Sequence, residues 1–368
     1  MSNVNESFPS FATEQKKNSK LRWVLLLVGM ILLACATVVG CSIYSLHKVD
    51  NVMNNSGYVE EWTENVDGES LVGVPYGDKE WNKLDVFFPK ELTPEKSHAA
   101  FVYIHGGAWT GGNREHMVPF ARRMTKLGYI SASVGYMLYR RGETDSFYSI
   151  FSVLDEIDCA LTKLKTTVEE RGIKLERVAL GGDSAGGHIL SLYAYSHGKN
   201  APVPVAFIAP RVAPIDFHED TWNSVLDIKT VALLINGMNH VEDVTPELLL
   251  NPDEKTENLI REISPLAYLS KESAIPTVAA YGGKDPIVGM KHYEKLIAKF
   301  KELGAKSFND IEVMDDDQIV FDCFVYPHSG HMLENDNDYA KQFHTLVLKY
   351  AEHYLNEHVQ NDSAIVDE

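Results

Sequence analysis

Basic residues are scarce in this chain. Over 368 residues, 34 Lys and Arg stand against 52 Asp and Glu, so the formal net charge is −18. A nucleic acid needs clustered positive charge for binding, and this balance therefore excludes it as an expected partner. Acidity of this size keeps the surface well solvated and makes a polyanionic substrate a poor fit.

Cysteine is equally rare, with four in the whole sequence. Cys35 and Cys41 fall within an apolar N-terminal stretch, which leaves only Cys159 and Cys323 for the folded domain. No disulfide framework follows from so few, and the two show no paired spacing of a zinc site. We expect both to be buried free thiols.

Calcium-loop motifs are absent as well. Acidic clusters occur at residues 315–317 and at Glu334, Asp336 and Asp338, but neither cluster has the glycine and the spacing of a calcium loop. We expect solvated loops at both places, and we predict neither a metal nor an organic cofactor.

An uncharged apolar run covers residues 23–46. It is long enough to cross a bilayer, which takes about 20 residues. Basic residues cluster before it, at Lys16, Lys17, Lys20 and Arg22. The positive-inside rule then places residues 1–22 in the cytoplasm and the folded domain outside. A retained transmembrane signal-anchor is the first interpretation. A lipoprotein signal ending at residues 38–41, with Cys41 acylated, and simple secretion are the alternatives.

Beyond a polar tether at residues 47–70, strand and helix patterns alternate up to residue 358, before a tail at 359–368 that we expect to be disordered. Strands are predicted near residues 72–75, 84–88, 99–104, 130–134, 178–181, 205–209, 277–281 and 321–326. Alternation of this kind predicts an α/β fold with a mostly parallel, eight-stranded sheet flanked by helices. Residues 211–275 interrupt the rhythm between two strands, and we predict that they form a cap over the sheet.

A Gly-x-Ser-x-Gly core lies within GGDSAGG at residues 181–187, directly after the apolar run 178–180. A sharp strand-to-helix turn would expose the hydroxyl of Ser184, and the glycines allow strand and helix to pass closely. The helix predicted from Ala185 to about His197 would point its free amides toward a developing oxyanion. Ser184 is therefore the predicted nucleophile.

A serine nucleophile needs a base and an acid that orients the base. Asp285 follows the strand pattern at 277–281, and His331 follows the one at 321–326. We favour His331 over His328 as the base, because the Gly-His pair at 330–331 suits a tight turn. The carboxyl ends of parallel strands collect reactive groups, so Ser184, Asp285 and His331 are predicted to form the catalytic triad.

The strand pattern at 99–104 runs into His105-Gly106-Gly107-Ala108-Trp109. Backbone with few side chains can offer free amides to an oxyanion, and we predict that the amides of Gly107, Ala108 and Ala185 form this hole. His105 is expected to brace the loop, and His188 to pack beneath the loops and not to carry protons. Aromatic pocket walls are predicted at Trp109, Tyr136 and Trp222.

Taken together, these motifs resemble the α/β-hydrolase esterases of the feruloyl-esterase-like and hormone-sensitive-lipase-like groups. The resemblance covers roughly residues 70–355. It is carried by LDVFFP at 84, HGGAW at 105, GGDSAGG at 181, REISPLAYL at 261, YGGKDPIV at 281 and YPHSGHML at 326. The HGG-x-W form also looks like kynurenine formamidase, which hydrolyses an amide on the same framework. In the lipase-like HGGG motif a third glycine stands where this chain has Ala108.

The resemblance and the residues together predict a serine carboxylic-ester hydrolase that forms an acyl-enzyme with small or medium acyl esters outside the cytoplasmic membrane. Two alternatives remain open at this point. One is an amidase or peptidase that uses the same triad. The other is a catalytically inactive hydrolase fold that serves as a binding module.

Overall fold

The computed structural model describes residues 61–93, 96, 98–139, 148–222, 228–311 and 318–356. All of them belong to one compact unit, residues 56–368. The predicted transmembrane segment at 23–46 and its basic flank lie outside the described residues. Within the described ranges, every helix is too short or too polar to cross a bilayer.

The eight predicted strands are all present. They are β1 (Gly68–Pro75), β2 (Lys83–Pro89), β3 (Ala99–Ile104), β4 (Ile130–Val134), β5 (Arg177–Asp183), β6 (Val205–Arg211), β7 (Thr277–Gly282) and β8 (Phe321–Tyr326). They form a single sheet in the order β1-β2-β4-β3-β5-β6-β7-β8. Strand β2 pairs antiparallel with β1 and β4, whereas all pairs from β4 to β8 are parallel.

The sheet starts earlier than the sequence suggested. Strand β1 begins at Gly68, inside the segment assigned to the tether. The chain before it is also folded onto the sheet, because the Trp62 ring packs edge-on against Phe87 at 5.7 Å and Glu64 accepts hydrogen bonds from Ser70. The start of the folded domain is set by the pairing of β1 with β2, which lies later in the chain, and the polar composition of residues 47–70 does not reveal it.

Nine α-helices lie within the described residues. They are α1 (Val118–Lys126), α2 (Ile150–Glu169), α3 (Ala185–His197), α4 (Ile228–Asn239), α5 (Pro246–Leu250), α6 (Glu254–Glu262), α7 (Pro265–Tyr268), α8 (Met290–Glu302) and α9 (Asn337–Asn356). The central strands β3, β4 and β7 are buried along their whole length, because helices cover both faces of the sheet.

The predicted insertion at 211–275 is a helical excursion that carries α4 to α7 between β6 and β7. Its ends are joined by a main-chain hydrogen bond of 3.0 Å from Leu266 N to Ile215 O. Helix α4 buries Val231, Ile235 and Met238 against the body of the protein. The excursion is therefore a packed part of the domain with its own apolar face.

The expectations for three individual residues are wrong. Cys159 was expected in the core, yet it lies on an exposed position of α2, and Cys323 is only partly buried. Asp336 was expected in a solvated loop, yet it is 8% exposed and accepts hydrogen bonds from the main chain and side chains of residues 328 and 329. The position of Cys159 on the outer side of its helix explains its exposure, and contacts made only in the folded loop explain the burial of Asp336.

Candidate active site

Ser184 occupies a strained turn between β5 and α3. Its backbone has φ 53° and ψ −120°, a combination that a residue with a side chain rarely adopts. It stands at the N-cap position of α3, yet its side chain makes no capping hydrogen bond. The predicted nucleophile turn is thus present, with the hydroxyl held at the amino end of a helix.

The turn depends on glycines that allow close approach. A Cβ at Gly186 would lie 2.1 Å from the carbonyl oxygen of Ile104, and one at Gly106 would lie 2.7 Å from that of Asp183. The Gly106 position also faces the Ser184 Cβ at 3.4 Å. The loop after β3 therefore packs directly on the turn that carries Ser184.

That loop holds three consecutive residues at positive φ. The angles are 124° at Gly107, 51° at Ala108 and 60° at Trp109. The Gly107 carbonyl accepts hydrogen bonds from the amides of Thr110 and Gly111 at 3.1 and 2.9 Å, which closes the loop on itself. Strained backbone of this kind persists only where surrounding contacts hold it, and it is typical of active sites.

Asp285 and His331 are directly joined. The His331 Nδ1–H donates to Asp285 Oδ2 at 2.7 Å, and the Asp285 side chain is fully buried while that of His331 is 17% exposed. The other carboxylate oxygen, Oδ1, accepts from the amides of Ile287 and Val288 at 2.8 and 3.0 Å. Both oxygens of the acid are therefore fixed, and the imidazole is held with its Nε2 turned away from the carboxylate.

The three residues share one edge of the sheet. Ser184 follows β5, Asp285 lies three residues after β7, and His331 lies five residues after β8. These strands are parallel, and β6 alone separates β5 from β7. The carboxyl ends of parallel strands meet at one edge, so the residues predicted from scattered motifs lie at the same end of the fold.

The loop that carries His331, residues 327–336, is held by an acid that sequence reasoning did not assign to the site. Asp336 accepts from the amide of His328 at 2.9 Å and from the Ser329 hydroxyl at 2.6 Å. Burial alone would raise the pKa of Asp336, but the hydrogen bonds from Ser329 and His328 outweigh it and lower the pKa. His328 itself is 69% exposed and bound to Asp336, and the choice of His331 as the base stays a prediction.

Arg211 is a second residue that sequence reasoning missed. Its Nε donates to Asp183 Oδ1 at 2.6 Å, and its carbonyl oxygen accepts from the Ser184 amide at 2.9 Å. The guanidinium also lies 4.6 Å from the centre of the Phe120 ring. Arg211 thus braces the nucleophile turn through both its main chain and its side chain, and no local motif marks it.

The two histidines expected to be structural are buried. His105 donates from Nδ1 to the Gly106 carbonyl at 2.8 Å, and burial lowers its pKa to about 4. His188 is fully buried, and burial lowers its pKa to about 4 as well. Both are therefore neutral at pH 7. His105 braces the glycine loop as predicted.

The three predicted pocket walls have interior contacts. Tyr136 is 1% exposed, and its hydroxyl donates to the His105 carbonyl at 2.8 Å. Trp109 is 4% exposed, and Trp222 packs its ring 5.1 Å from both Phe217 and His292. Their assignment as substrate contacts stays a prediction, whereas their part in packing the loops is visible.

Comparison with known proteins gives the family. The BD-FAE family model matches residues 84–300, more than half of the chain. Esterase LipQ of Mycobacterium tuberculosis is 24% identical over 246 residues, an alignment that covers 65% of this chain and 55% of LipQ. Kynurenine formamidase of Danio rerio is 21% identical over 257 residues, with 68% of this chain and 76% of that protein covered.

A solved structure supports the same fold. The truncated form of a carbohydrate esterase from gut microbiota superposes with a TM-score of 0.60 at 17% identity, and the match covers 80% of this chain and 99% of that one. An identity this low speaks for the fold alone. Together with the family match and the arrangement of Ser184, Asp285 and His331, it leads to one assignment: this chain belongs to the BD-FAE family and has an α/β-hydrolase fold.

Proposed function

We propose that the protein is a serine carboxylic-ester hydrolase that acts on small or medium acyl esters through a covalent acyl-enzyme. The observation that carries this proposal is the 2.7 Å hydrogen bond between His331 and Asp285, at the same sheet edge as the strained Ser184. An imidazole oriented by a buried carboxylate is what a serine alcohol needs in order to attack at neutral pH.

The reaction then has two halves. Ser184 Oγ attacks the ester carbonyl while His331 Nε2 takes the hydroxyl proton, and the negative charge on the carbonyl oxygen is met by the amides of Gly107, Ala108 and Ala185. The tetrahedral intermediate collapses as His331 returns the proton to the leaving alcohol. Water, deprotonated by His331, next attacks the acyl-enzyme carbonyl. The bond to Ser184 Oγ then breaks as His331 returns the proton to that oxygen, and the acid leaves. These steps need no cofactor.

The oxyanion assignment rests on how the loop is held. Gly106 packs on the nucleophile turn, and Gly107 and Ala108 follow at positive φ. Ala185 opens helix α3, whose first amides carry the positive end of the helix dipole. Preorganised donors of this kind are worth about 10²–10³ in rate for each one lost.

A fluorophosphonate probe tests the nucleophile. We expect the wild-type protein to be labelled covalently and to turn over p-nitrophenyl acetate, and Ser184→Ala to do neither. Ser191→Ala is the matched control, because Ser191 lies on the same helix with its hydroxyl bonded to the Gly187 carbonyl. Equal labelling of Ser184→Ala and wild type would end the proposal. Correct folding without turnover of any short acyl ester would favour the binding module.

An amidase is the second candidate, favoured by the similarity to the kynurenine formamidase of Danio rerio. The same triad can cleave a C–N bond, but the leaving nitrogen then depends more strongly on protonation by His331. Turnover of p-nitrophenyl esters and of the matched anilides decides between the two. Faster anilide turnover at equal concentration would replace the esterase assignment by an amidase.

We also propose that residues 23–46 anchor the protein and that the catalytic domain acts outside the cytoplasmic membrane. The support is the uncharged length of the run and the basic residues before it. When the full chain is expressed in a bacterial host, we expect it in the membrane fraction, with the domain cleaved by protease added to intact spheroplasts. Protection from the protease would mean that the domain lies on the cytoplasmic side of the membrane. Release by Cys41→Ser would identify the anchor as a lipid on Cys41.

A further inference from the structure

One buried imidazole connects three parts of the site. His188 Nδ1 accepts a hydrogen bond from the Trp109 indole Nε1–H at 3.0 Å, and its Nε2–H donates to the carbonyl oxygen of Ile263 at 2.8 Å. Its own amide donates to the Ser184 carbonyl at 2.9 Å in the first turn of α3. The glycine loop, the nucleophile helix and the 211–275 insertion therefore meet at this side chain.

The two ring bonds fix one protonation state. An indole nitrogen only donates, so Nδ1 must be without a proton, and a carbonyl oxygen only accepts, so Nε2 must carry one. Burial lowers the pKa of His188 to about 4, and hence the ring stays neutral in this tautomer at pH 7. His188 cannot serve as a proton carrier while both bonds are made.

Trp109 is the residue through which this ring reaches the loop. It stands at φ 60°, directly after Gly107 and Ala108, whose amides are assigned to the oxyanion. Its indole lies edge-on to His188, with ring centres 5.3 Å apart, and its carbonyl accepts from the Tyr139 amide at 2.8 Å. The Phe217 ring from the insertion packs on both, at 5.9 Å from Trp109 and 5.0 Å from His188.

We propose that His188 is a positioning residue for the oxyanion hole. Its bond to Trp109 holds the strained Gly107–Trp109 loop at a fixed position relative to Ser184. Its bond to Ile263 links that loop to the insertion. The inference rests on the proposed function, since it assumes that Gly107 and Ala108 donate to the oxyanion. Left-handed backbone at Ala108 and Trp109 would relax without an anchor, which would move the donors away from the developing charge.

The test separates this role from simple packing. His188→Phe keeps a ring but loses both hydrogen bonds, and Trp109→Phe keeps an aromatic ring but loses the indole N–H. We expect each to lower kcat on p-nitrophenyl acetate by about 10–100-fold with KM changed less than about twofold, since donors displaced by about 1 Å cost up to about 10². The rate of fluorophosphonate labelling should fall in parallel. The double variant should lose no more than His188→Phe alone, because His188→Phe already removes the bond to Trp109.

Two amide replacements refine the test. Asparagine offers its Oδ1 as an acceptor near the place of Nδ1, whereas glutamine offers its Nε2 as a donor near the place of the ring Nε2. We expect His188→Asn to retain more kcat than His188→Gln, since it can still hold the Trp109 indole. If His188→Phe fails to fold, the kcat values of His188→Asn, His188→Gln and Trp109→Phe decide the question.

Tyr195→Phe is the matched control. It removes one buried hydrogen bond of α3, from Tyr195 to Thr277 at 3.0 Å, without contact to the glycine loop, and we expect it to lower the melting temperature but not kcat. A folded His188→Phe or Trp109→Phe with wild-type kcat would overturn the positioning role. If instead the wild-type protein hydrolyses no ester and Ser184 is not labelled, the proposed function itself is what fails.

Discussion

Replacing Asp285 with asparagine is expected to lower kcat for ester hydrolysis by about 10⁴-fold, with KM nearly unchanged. The reason lies in how the carboxylate is held. Oδ1 accepts from the Ile287 and Val288 amides, so an asparagine must place its oxygen there and its NH₂ toward His331. An NH₂ facing Nδ1 forces the imidazole proton onto Nε2. The base then has no lone pair for the Ser184 proton.

Asp322→Asn is the matched control for this experiment. Asp322 accepts from the Ser307 and Tyr350 hydroxyls at 2.6 and 2.8 Å, and it lies near the amino end of β8, opposite the predicted site. We expect this variant to lose stability but to keep kcat. Steady-state kinetics on p-nitrophenyl acetate gives kcat for the Asp285→Asn and Asp322→Asn proteins, and thermal melting gives their stability. A folded Asp285→Asn protein within about tenfold of wild-type kcat would contradict the triad.

The stability of this protein is expected to fall steeply as the pH drops below about 6.5. His105, His188 and His292 are at most 1% exposed, and in each case burial lowers the pKa to about 4. For His292 the charges of Asp216, Lys295 and Asp285 have smaller effects. The unfolded chain takes up a proton at each histidine below about pH 6.5, whereas the folded protein does so only near pH 4.

The sign of the effect follows from this difference in proton uptake. Between pH 6.5 and 4 the unfolded state binds more protons, so stability falls by about 1.4 kcal/mol per pH unit for each buried histidine. His218 acts in the opposite direction at higher pH. Its hydrogen bond to Asp216 raises the pKa of His218 to about 9, so this pair adds stability as the pH falls from 9 to 6.5 and adds no more below that. We therefore expect maximal stability near neutral pH.

Urea unfolding at pH 6.5 and 4.5 checks this prediction. The free energy of unfolding should fall by on the order of 2–3 kcal/mol for each of the three histidines over that interval. His292→Asn should flatten the pH dependence by about one proton. A wild-type free energy of unfolding that stays constant down to pH 4.5 would mean that the buried rings are protonated in the folded state.

Much of the fold follows from local patterns. All eight strands and the helix from Ala185 to His197 agree with the sequence prediction, because a strand or a helix is read from apolar spacing over a few residues. Asp285 and His331 were found in the same way, each just after a strand. The partnership of these two residues is predictable as well, since parallel strands bring their carboxyl ends to one edge.

The misjudged residues are those whose surroundings are set by distant parts of the chain. Asp336 looked like one more acidic loop residue, and only the folded loop shows it bound to His328 and Ser329. Cys159 looked like a core thiol, but it lies on the exposed side of a helix. Arg211 carried no signal at all, because its partner Asp183 lies 28 positions away.

His188 shows most clearly how the two sources of information divide. Its place four residues after Ser184, on a helix beneath the loops, could be inferred from the spacing of GGDSAGGH. Its hydrogen-bond partners could not, because Trp109 and Ile263 lie 79 and 75 positions from it along the chain. Local sequence patterns predict whether each segment is a helix or a strand, and in which order the reactive groups follow along the chain. Packing of remote segments sets the tautomer, the burial and the anchoring of those groups, because these depend on which atoms meet after the chain has folded.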